Sequence, residues 1–194
     1  MQRRILLGGL SAALLSRAAQ AGAGRRLTLR HAHTGARFDG PWHDGAAPDP
    51  AAMAELSAVL SDSAAIQPLP FDAAAVEILW EVAQRARLAG ELVVRSGYRT
   101  PAINRAVHGA GDSQHLRAGA IDVEVTAGRM AAVSDAALRL GRGGVGLYPF
   151  RGFVHLDSGP VRRWSDDRVM EVRLTPREDR IGRIAAAWRA SGGW

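Results

Sequence analysis

Two short segments of this chain alternate apolar and polar residues, which is the pattern of a β-strand with one face in the core. In the segment AIDVEV the apolar residues would enter the core, so Asp122 and Glu124 point to the opposite face. In the segment FVHLD the same alternation turns His155 and Asp157 away from the core. The fold must therefore contain two strands whose polar faces carry carboxylates and an imidazole.

The polar faces of these two strands supply candidate ligands for a metal ion. If the strands are neighbours, Asp122 and His155 converge, and His115 in the preceding loop SQHLRAG can complete a triangle. Two imidazoles and one carboxylate form a ligand set of catalytic zinc, which keeps its fourth position open. The sequence does not show that the strands pair, and a lone histidine is more often a structural hydrogen-bonding group than a ligand.

The chain has no cysteine, so any bound metal must be held by histidines and carboxylates, and stability must come from packing. His31 and His33 form a second candidate pair, because they lie two apart on one face of a predicted strand. Histidines on an edge strand are usually only solvated, so this pair is also explained without a metal.

Size and charge limit the classes of function. A length of 194 residues and an apolar fraction of 47% fit one globular domain. All 25 basic residues are arginine, and the formal net charge is +6. No basic cluster contains interleaved aromatic residues, so the sequence predicts no nucleic-acid partner.

The N-terminus has the pattern of an export signal. Arg3 and Arg4 precede an apolar run over 5–15, and the small residues that follow fit cleavage after Ala21. Paired arginines before the run favour the twin-arginine export machinery over a general secretory signal. The run is shorter than the roughly 20 residues that a transmembrane helix needs, so no stable membrane anchor is expected after processing. We therefore predict a signal peptide over 1–21 and an exported, periplasmic protein.

Apolar periodicity and capping residues predict the helices of the scaffold. They are expected over 51–60 after Asp49 or Asp44, over 73–89 between Asp72 and Gly90, and over 128–140 before Gly141. A hairpin is expected near the N-terminus, turning at Thr34 and Gly35.

Arg99 lies in a turn between a buried strand over 92–94 and a helix that Thr100 would cap and Pro101 would begin. Two roles are open to it: an ion pair with a carboxylate of the protein, or bidentate hydrogen bonding to a substrate carboxylate. A metal site nearby would favour the second role.

Longer motifs around these residues resemble a known family. The pattern SxH over 113–115, AxD over 120–122 and the later His155 resembles the zinc D,D-peptidase superfamily, which shares a fold with the hedgehog signalling domain. The motifs SGYRTPxxN, GGVGxYP, FVHLDxG and VRxW, with HTG near the N-terminus, are similar to the murein endopeptidase K group of exported bacterial proteins. The resemblance extends from about Leu27 to Trp164.

This resemblance implies an α+β fold of the hedgehog and D,D-peptidase type, with a small antiparallel sheet flanked by helices. It also implies a zinc ion bound by His115, Asp122 and His155, and hydrolysis of peptide cross-links in peptidoglycan. The corresponding domain would span 25–165, and an arginine-rich C-terminal extension over 166–194 would follow it.

The sequence departs from the family pattern at two places. Ala118 stands where the third residue after the first histidine ligand is usually glycine. Gly152 and Phe153 stand where many superfamily members carry the general base. Asp157 is therefore our first candidate for the base and Glu124 the second, and the alternative for Asp157 is to orient a ligand.

The remaining site residues would act on the substrate. Arg99, together with Ser113, would steady a substrate carboxylate or the developing oxyanion, and Asn104 is a further substrate-binding candidate. Two alternatives to an endopeptidase stay open: a D,D-carboxypeptidase or dipeptidase acting on stem peptides, and a non-catalytic zinc-containing module that binds the cell wall. A fourth protein ligand such as His108 would favour the module, since structural zinc sites are closed.

Overall fold

The computed structural model describes residues 24–65 and 67–166, so the predicted signal peptide and all but the first residue of the C-terminal extension lie outside the described residues. This part of the chain contains seven strands and four α-helices, with single turns of 3₁₀-helix at Gln114–Arg117 and Pro149–Arg151. The elements are, in chain order, β1 (Arg25–His31), β2 (Arg37–His43), α1 (Pro50–Val59), α2 (Ala73–Arg85), β3 (Leu92–Ser96), α3 (Pro101–Ala106), β4 (Ala120–Glu124), α4 (Ala127–Leu140), β5 (Gly144–Tyr148), β6 (Phe153–Asp157) and β7 (Arg162–Ser165).

The strands form one mixed sheet in the order β2-β1-β3-β4-β6-β5-β7. Neighbours are antiparallel except β1 with β3 and β5 with β7, which are parallel. The α+β class expected from the sequence is confirmed, but the sheet is larger than the small antiparallel sheet that was expected. The sheet is mixed because two crossover connections place strands in parallel. The chain passes through α1 and α2 before β3 pairs with β1, and after β6 it crosses to the outer edge of β5, where β7 pairs.

One face of the central strands forms the core. Ile121 and Val123 of β4 and Val154 and Leu156 of β6 are at most 1% exposed, and α2 and α4 pack against each other and against β6. The alternation read from the sequence is confirmed for both strands. The opposite face of β4 and β6 is therefore the face that carries polar side chains.

The first hairpin turns where the sequence predicted, with Gly35 in the left-handed conformation at a φ of 74°. The expectation that His31 and His33 share a strand face is wrong, because β1 ends at His31 and His33 lies in the turn. His31 is completely buried and contacts Asp62. These two histidines do not form a metal site together.

Helix α2 begins after Asp72, whose carboxylate accepts a hydrogen bond from the Ala74 amide as expected of an N-cap. The helix ends at Arg85, four residues earlier than predicted. Arg87 adopts a φ of 51°, which ends the helix before Gly90 is reached. Among the described residues, no helix is long and apolar enough to span a membrane.

Candidate metal centre

The centre is built by β4, β6 and the 3₁₀ turn that precedes β4. Asp122 and His155 are direct partners in the antiparallel ladder of these two strands, so their side chains emerge side by side on the polar face. His115 enters from the 3₁₀ turn, which Ser113 caps and which closes at Ala118 with a φ of 53°. Ala118 thus adopts the left-handed conformation that the usual glycine of this pattern would adopt without strain.

Three atoms converge at the centre: His115 Nε2, Asp122 Oδ1 and His155 Nδ1. The carboxylate oxygen lies 3.2 Å from the first nitrogen and 2.8 Å from the second, and the two nitrogens are 3.2 Å apart. Tetrahedral zinc with ligands at about 2.0–2.1 Å places its ligand atoms about 3.3 Å apart. The described residues contain no other histidine or carboxylate that joins this group. The three atoms therefore match the spacing of a three-ligand zinc centre.

Each imidazole of the centre is oriented by its second nitrogen. His115 Nδ1 donates to the carbonyl of Gly97 at 2.6 Å, and His155 Nε2 donates to Asp157 Oδ2 at 2.9 Å. These bonds place the ring protons on the outer nitrogens, so bare lone pairs of both rings face the Asp122 oxygen. Such an arrangement of three acceptors requires a shared cation or proton, and this is the usual environment of metal-ligating histidines.

The charges of the centre favour the binding of a cation. Burial raises the pKa of Asp122, but the contacts with His115 and His155 lower it more, so its pKa lies far below the usual range. Burial lowers the pKa of His155, but the hydrogen bonds with Asp122 and Asp157 raise it above its usual value. The group consequently attracts positive charge, as a proton or as a metal ion.

Arg99 is joined to the centre through Asp122. Its Nη2 donates to Asp122 Oδ2 at 2.8 Å, and its Nε donates to Ser96 Oγ at 2.7 Å. The side chain is only 14% exposed. Of the two roles that the sequence left open for Arg99, the ion pair with a carboxylate of the protein is present, and its partner is the carboxylate of the centre.

Asp157 lies behind the ring of His155, on the side away from the other two ligand atoms. Its carboxylate is completely buried and accepts hydrogen bonds from His155, from two backbone amides and from Arg162. Burial raises the pKa of Asp157, but these hydrogen bonds, chiefly that of His155, lower it below its usual value. A side chain at Gly144 would overlap this carboxylate, which explains a glycine at that position of β5.

The other candidates from the sequence lie in different places. Ser113 lines the cavity above the centre, and its Oγ accepts from the His115 amide at 3.3 Å. Asn104 is buried outside the cavity lining, and its Nδ2 donates to the carbonyl of Ala110. Glu124 is 45% exposed, lies 4.0 Å from Arg95 and lines a separate depression. His108 lines the cavity but is exposed and does not join the three ligand atoms.

A cavity of about 650 Å³ opens over the three ligand atoms. One wall is aromatic: Tyr148 and Phe153 stack with ring centroids 4.3 Å apart, and Trp164 Nε1 donates to the Tyr148 hydroxyl at 2.8 Å. The ring of Trp164 also lies 5.1 Å from that of His155. The sequence does not predict this wall, because Tyr148, Phe153 and Trp164 belong to three separate motifs.

Arginines complete the cavity wall. Arg162 binds both oxygens of Asp157 and lies 5.1 Å from the Trp164 ring centroid. The guanidinium of Arg151 lies over the Tyr148 and Phe153 rings and has no carboxylate partner among the residues that the structure describes. The sequence does not predict a function for either arginine, and Arg162 is marked only by its place in the VRxW motif.

Comparison with known proteins agrees with this geometry. The sequence model of the family described as peptidoglycan L,D-endopeptidase MepK matches residues 19–164. The chain is 32% identical over 146 residues to the probable peptidoglycan L,D-endopeptidase MepK of Haemophilus influenzae, which covers 72% of this chain and 78% of that protein. It is 30% identical over 145 residues to the MepK proteins of Escherichia coli and Shigella flexneri, covering 72% of this chain and 80% of theirs.

The matched range contains all three residues of the candidate centre, the strands that position them and the aromatic wall of the cavity. It also contains the five motifs on which the resemblance to the murein endopeptidase K group is based. By the family model and by these relatives, the chain belongs to the peptidoglycan L,D-endopeptidase MepK family.

Proposed function

We propose that this chain is a zinc-dependent peptidase that hydrolyses peptide cross-links of peptidoglycan. The observation that carries the proposal is the convergence of three buried ligand atoms in the lining of an open cavity. The name of the relatives, L,D-endopeptidase, supports the class of substrate and of bond.

His115 Nε2, Asp122 Oδ1 and His155 Nδ1 would hold the zinc ion, because their lone pairs face one another and their outer atoms are already hydrogen-bonded. When bound, zinc supplies a Lewis acid that polarises the scissile carbonyl and acidifies a water molecule. A set of three protein ligands beside a cavity supports a catalytic site, whereas a structural site would need a fourth ligand such as His108.

Asp157 is proposed as the residue that orients His155 rather than as the general base. Its carboxylate is separated from the cavity by the imidazole ring, and all of its hydrogen bonds come from donors within the fold. A base must reach the proton that it accepts, either directly or through one water. This geometry supports the orienting alternative that the sequence left open.

The proton acceptor is proposed to lie in the loop over 107–113. Glu124 lines a separate depression, whereas His108 and Asp112 line the same cavity as the three residues of the centre. Imidazole and carboxylate are the side chains that most often accept protons in catalysis. His108→Gln and Asp112→Asn, made separately, should show which residue acts, through a loss of kcat at unchanged zinc affinity; full activity in both variants would refute the assignment.

Arg151 is proposed to bind a substrate carboxylate. Arg99 and Arg162 already bind carboxylates of the fold, whereas Arg151 presents its guanidinium at the cavity from a stacked aromatic surface. Peptidoglycan stem peptides carry carboxylates that such a group can bind through paired hydrogen bonds. Ser113 is retained as a substrate contact, and Asn104 is proposed to support the loop that carries it.

Export to the periplasm by the twin-arginine machinery is part of the proposal, because peptidoglycan lies outside the cytoplasm. It depends on Arg3 and Arg4, which lie outside the described residues. Replacing both by lysine should retain a fused reporter in the cytoplasm. Continued export of the reporter through the general secretory route would contradict this step.

The experiment that tests the function is digestion of purified sacculi with the zinc-loaded mature protein, with products identified by mass spectrometry. We expect cross-linked muropeptides to decrease and monomers to increase with the wild type and not with His115→Ala. Loss of terminal residues from monomers, with dimers intact, would instead indicate a carboxypeptidase. No product from protein with one zinc per chain would refute both enzymatic hypotheses.

A further inference from the structure

Asp62 is a partly buried carboxylate outside the metal centre, and its hydrogen-bond partners contact the residues of the centre. It follows α1, its side chain is 13% exposed, and every partner that contacts it is a donor. Oδ1 accepts from the Gly97 amide at 2.7 Å and from His31 Nε2 at 3.2 Å, and Oδ2 accepts from Ser96 Oγ at 2.6 Å. Arg99 Nε lies 3.5 Å from Oδ2.

His31 fixes the orientation of this carboxylate. The backbone amides of His33 and Thr34 point at His31 Nδ1 at 3.2 and 3.3 Å, so this nitrogen is an acceptor and the ring proton lies on Nε2. The protonated Nε2 then donates to Asp62. A completely buried imidazole with both nitrogens engaged has one orientation available, so the first hairpin turn determines where the Asp62 oxygens point.

Two separate routes connect Asp62 to the metal ligands. On the first, the Gly97 amide bonds Asp62 while the carbonyl of the same residue accepts from His115 Nδ1. On the second, the Ser96 hydroxyl donates to Asp62 and accepts from Arg99 Nε, and Arg99 Nη2 holds the outer oxygen of Asp122. Asp62 thus acts on two of the three ligands.

The backbone keeps this segment in place. The amide of Asp62 donates to the carbonyl of Tyr98 at 3.0 Å, and the amide of Tyr98 donates to that of Leu60 at 2.6 Å. A side chain at Gly97 would overlap the Leu60 carbonyl, so glycine permits this close approach. The segment after α1 is therefore attached to the turn that carries Arg99.

We propose that Asp62, oriented by His31, is a positioning residue that fixes His115 and Asp122 in the geometry for binding the metal. The inference rests on the proposed function, since it concerns the same centre. Replacing Asp62 by asparagine keeps the shape of the side chain but turns one acceptor oxygen into a donor amide. Gly97 and His31 donate to Oδ1, so the amide oxygen must stay there and the NH₂ group faces the Ser96 hydroxyl and Arg99 Nε. The hydroxyl would then have to accept instead of donate, and the negative charge beside Arg99 would be lost, which weakens the route to Asp122.

The test measures the Zn²⁺ dissociation constant by competition with a chelator, and the thermal unfolding of the metal-free protein. Asp62→Asn should weaken Zn²⁺ binding by about 10- to 100-fold, as loss of outer-sphere contacts commonly does. Ser96→Ala, which removes the hydroxyl between Asp62 and Arg99 but keeps the negative charge of Asp62 beside Arg99, should weaken it less. Asp39→Asn is the matched control, because Asp39 is an exposed carboxylate of β2 that bonds only Thr28 and Arg26 among the described residues.

The outcomes distinguish the positioning role of Asp62 from the proposed zinc-dependent function. A folded Asp62→Asn with wild-type Zn²⁺ affinity and wild-type activity would overturn the positioning role. If Asp62→Asn does not fold, Ser96→Ala decides, and an unchanged affinity in that variant would also overturn it. If the wild type itself does not bind Zn²⁺, the proposed function fails instead. A visible absorption spectrum of the Co²⁺-loaded protein that differs between Asp62→Asn and the wild type would support the role independently.

Discussion

At the scale of single residues, the two imidazoles of the candidate metal centre have different outer partners. His115 donates to a backbone carbonyl, whereas His155 donates to the buried carboxylate of Asp157. A carboxylate partner fixes the tautomer of a histidine and raises its basicity as a ligand. Arg162 and two backbone amides hold Asp157 in turn, so the orientation of His155 is set by the strand ends around it.

Asp157→Asn should weaken zinc binding by roughly 10- to 100-fold. If the amide NH₂ faced His155 Nε2, the ring proton of His155 would be displaced to the nitrogen that faces the metal. If it faced the backbone amides of Gly144 and Gly159 instead, buried hydrogen bonds would be lost. The measurement is chelator competition, with the exposed Asp135→Asn as control. Wild-type zinc affinity together with a large loss of kcat would show that Asp157 is the general base instead.

Arg151→Ala should raise KM about tenfold, equivalent to about 1.4 kcal/mol, for a cross-linked peptide with a free carboxylate, without changing zinc affinity. The physical reason is the loss of a charge-assisted contact at the cavity edge. For a substrate whose carboxylate is amidated, the KM of Arg151→Ala should equal that of the wild type. Arg105→Ala, an exposed arginine of α3 that does not line the cavity, is the control. An equal KM increase with both substrates would contradict the assigned role.

At the scale of elements, α2 links the two halves of the sheet. Glu77 in this helix accepts hydrogen bonds from Arg25 of β1 and from Arg142 after α4. The helix ends at Arg85, and Arg87, two residues later, adopts the left-handed conformation. Its N-terminus could be predicted because Asp72 is a local capping signal, whereas its C-terminus could not, because a left-handed arginine has no sequence signature.

The ion pairs of Glu77 should make stability depend on pH. The hydrogen bond with Arg25 and, in smaller part, the contacts with Arg142 lower the pKa of Glu77 below its usual value, against a smaller opposing effect of burial. A lowered pKa stabilises the fold above the unfolded-state pKa of about 4.3, and this contribution disappears as the pH falls through the folded-state pKa.

Glu77→Gln should therefore lower the free energy of unfolding by about 1 kcal/mol or less at neutral pH, since the pair is partly exposed. The difference from the wild type should shrink as the pH falls below 4. Urea unfolding at several pH values measures it, with Glu55→Gln on α1 as control. A constant difference across the range would show that packing, and not charge, is responsible.

Arg87→Gly should raise the free energy of unfolding by about 1 kcal/mol, because glycine adopts a positive φ without the strain of a side chain. Arg87 is exposed, so the substitution removes little packing. Arg85→Gly, two residues earlier and still helical, should lower stability by a similar amount. Equal effects of the two substitutions would contradict the explanation of the helix end.

At the scale of the whole molecule, the centre depends both on patterns within single strands and on contacts between residues that are far apart in sequence. Strand alternation predicted that Asp122 and His155 leave the core, because it is a local property of each strand. The parallel pairs of the sheet, and with them the position of Trp164 beside Tyr148, depend on crossover connections, which no local pattern encodes. Asp62 was missed for the same reason, since it meets Gly97 only in the folded chain.

Zinc-dependent hydrolysis is best tested by a zinc titration of the chelator-treated protein, with cleavage of a purified L,D-cross-linked muropeptide dimer measured at each zinc ratio. The three-ligand centre predicts no hydrolysis without metal and a rise that saturates at one zinc per chain. His155→Ala should stay inactive throughout. Full hydrolysis by the metal-free protein, or intact dimers at one bound zinc per chain, would refute a zinc-dependent endopeptidase.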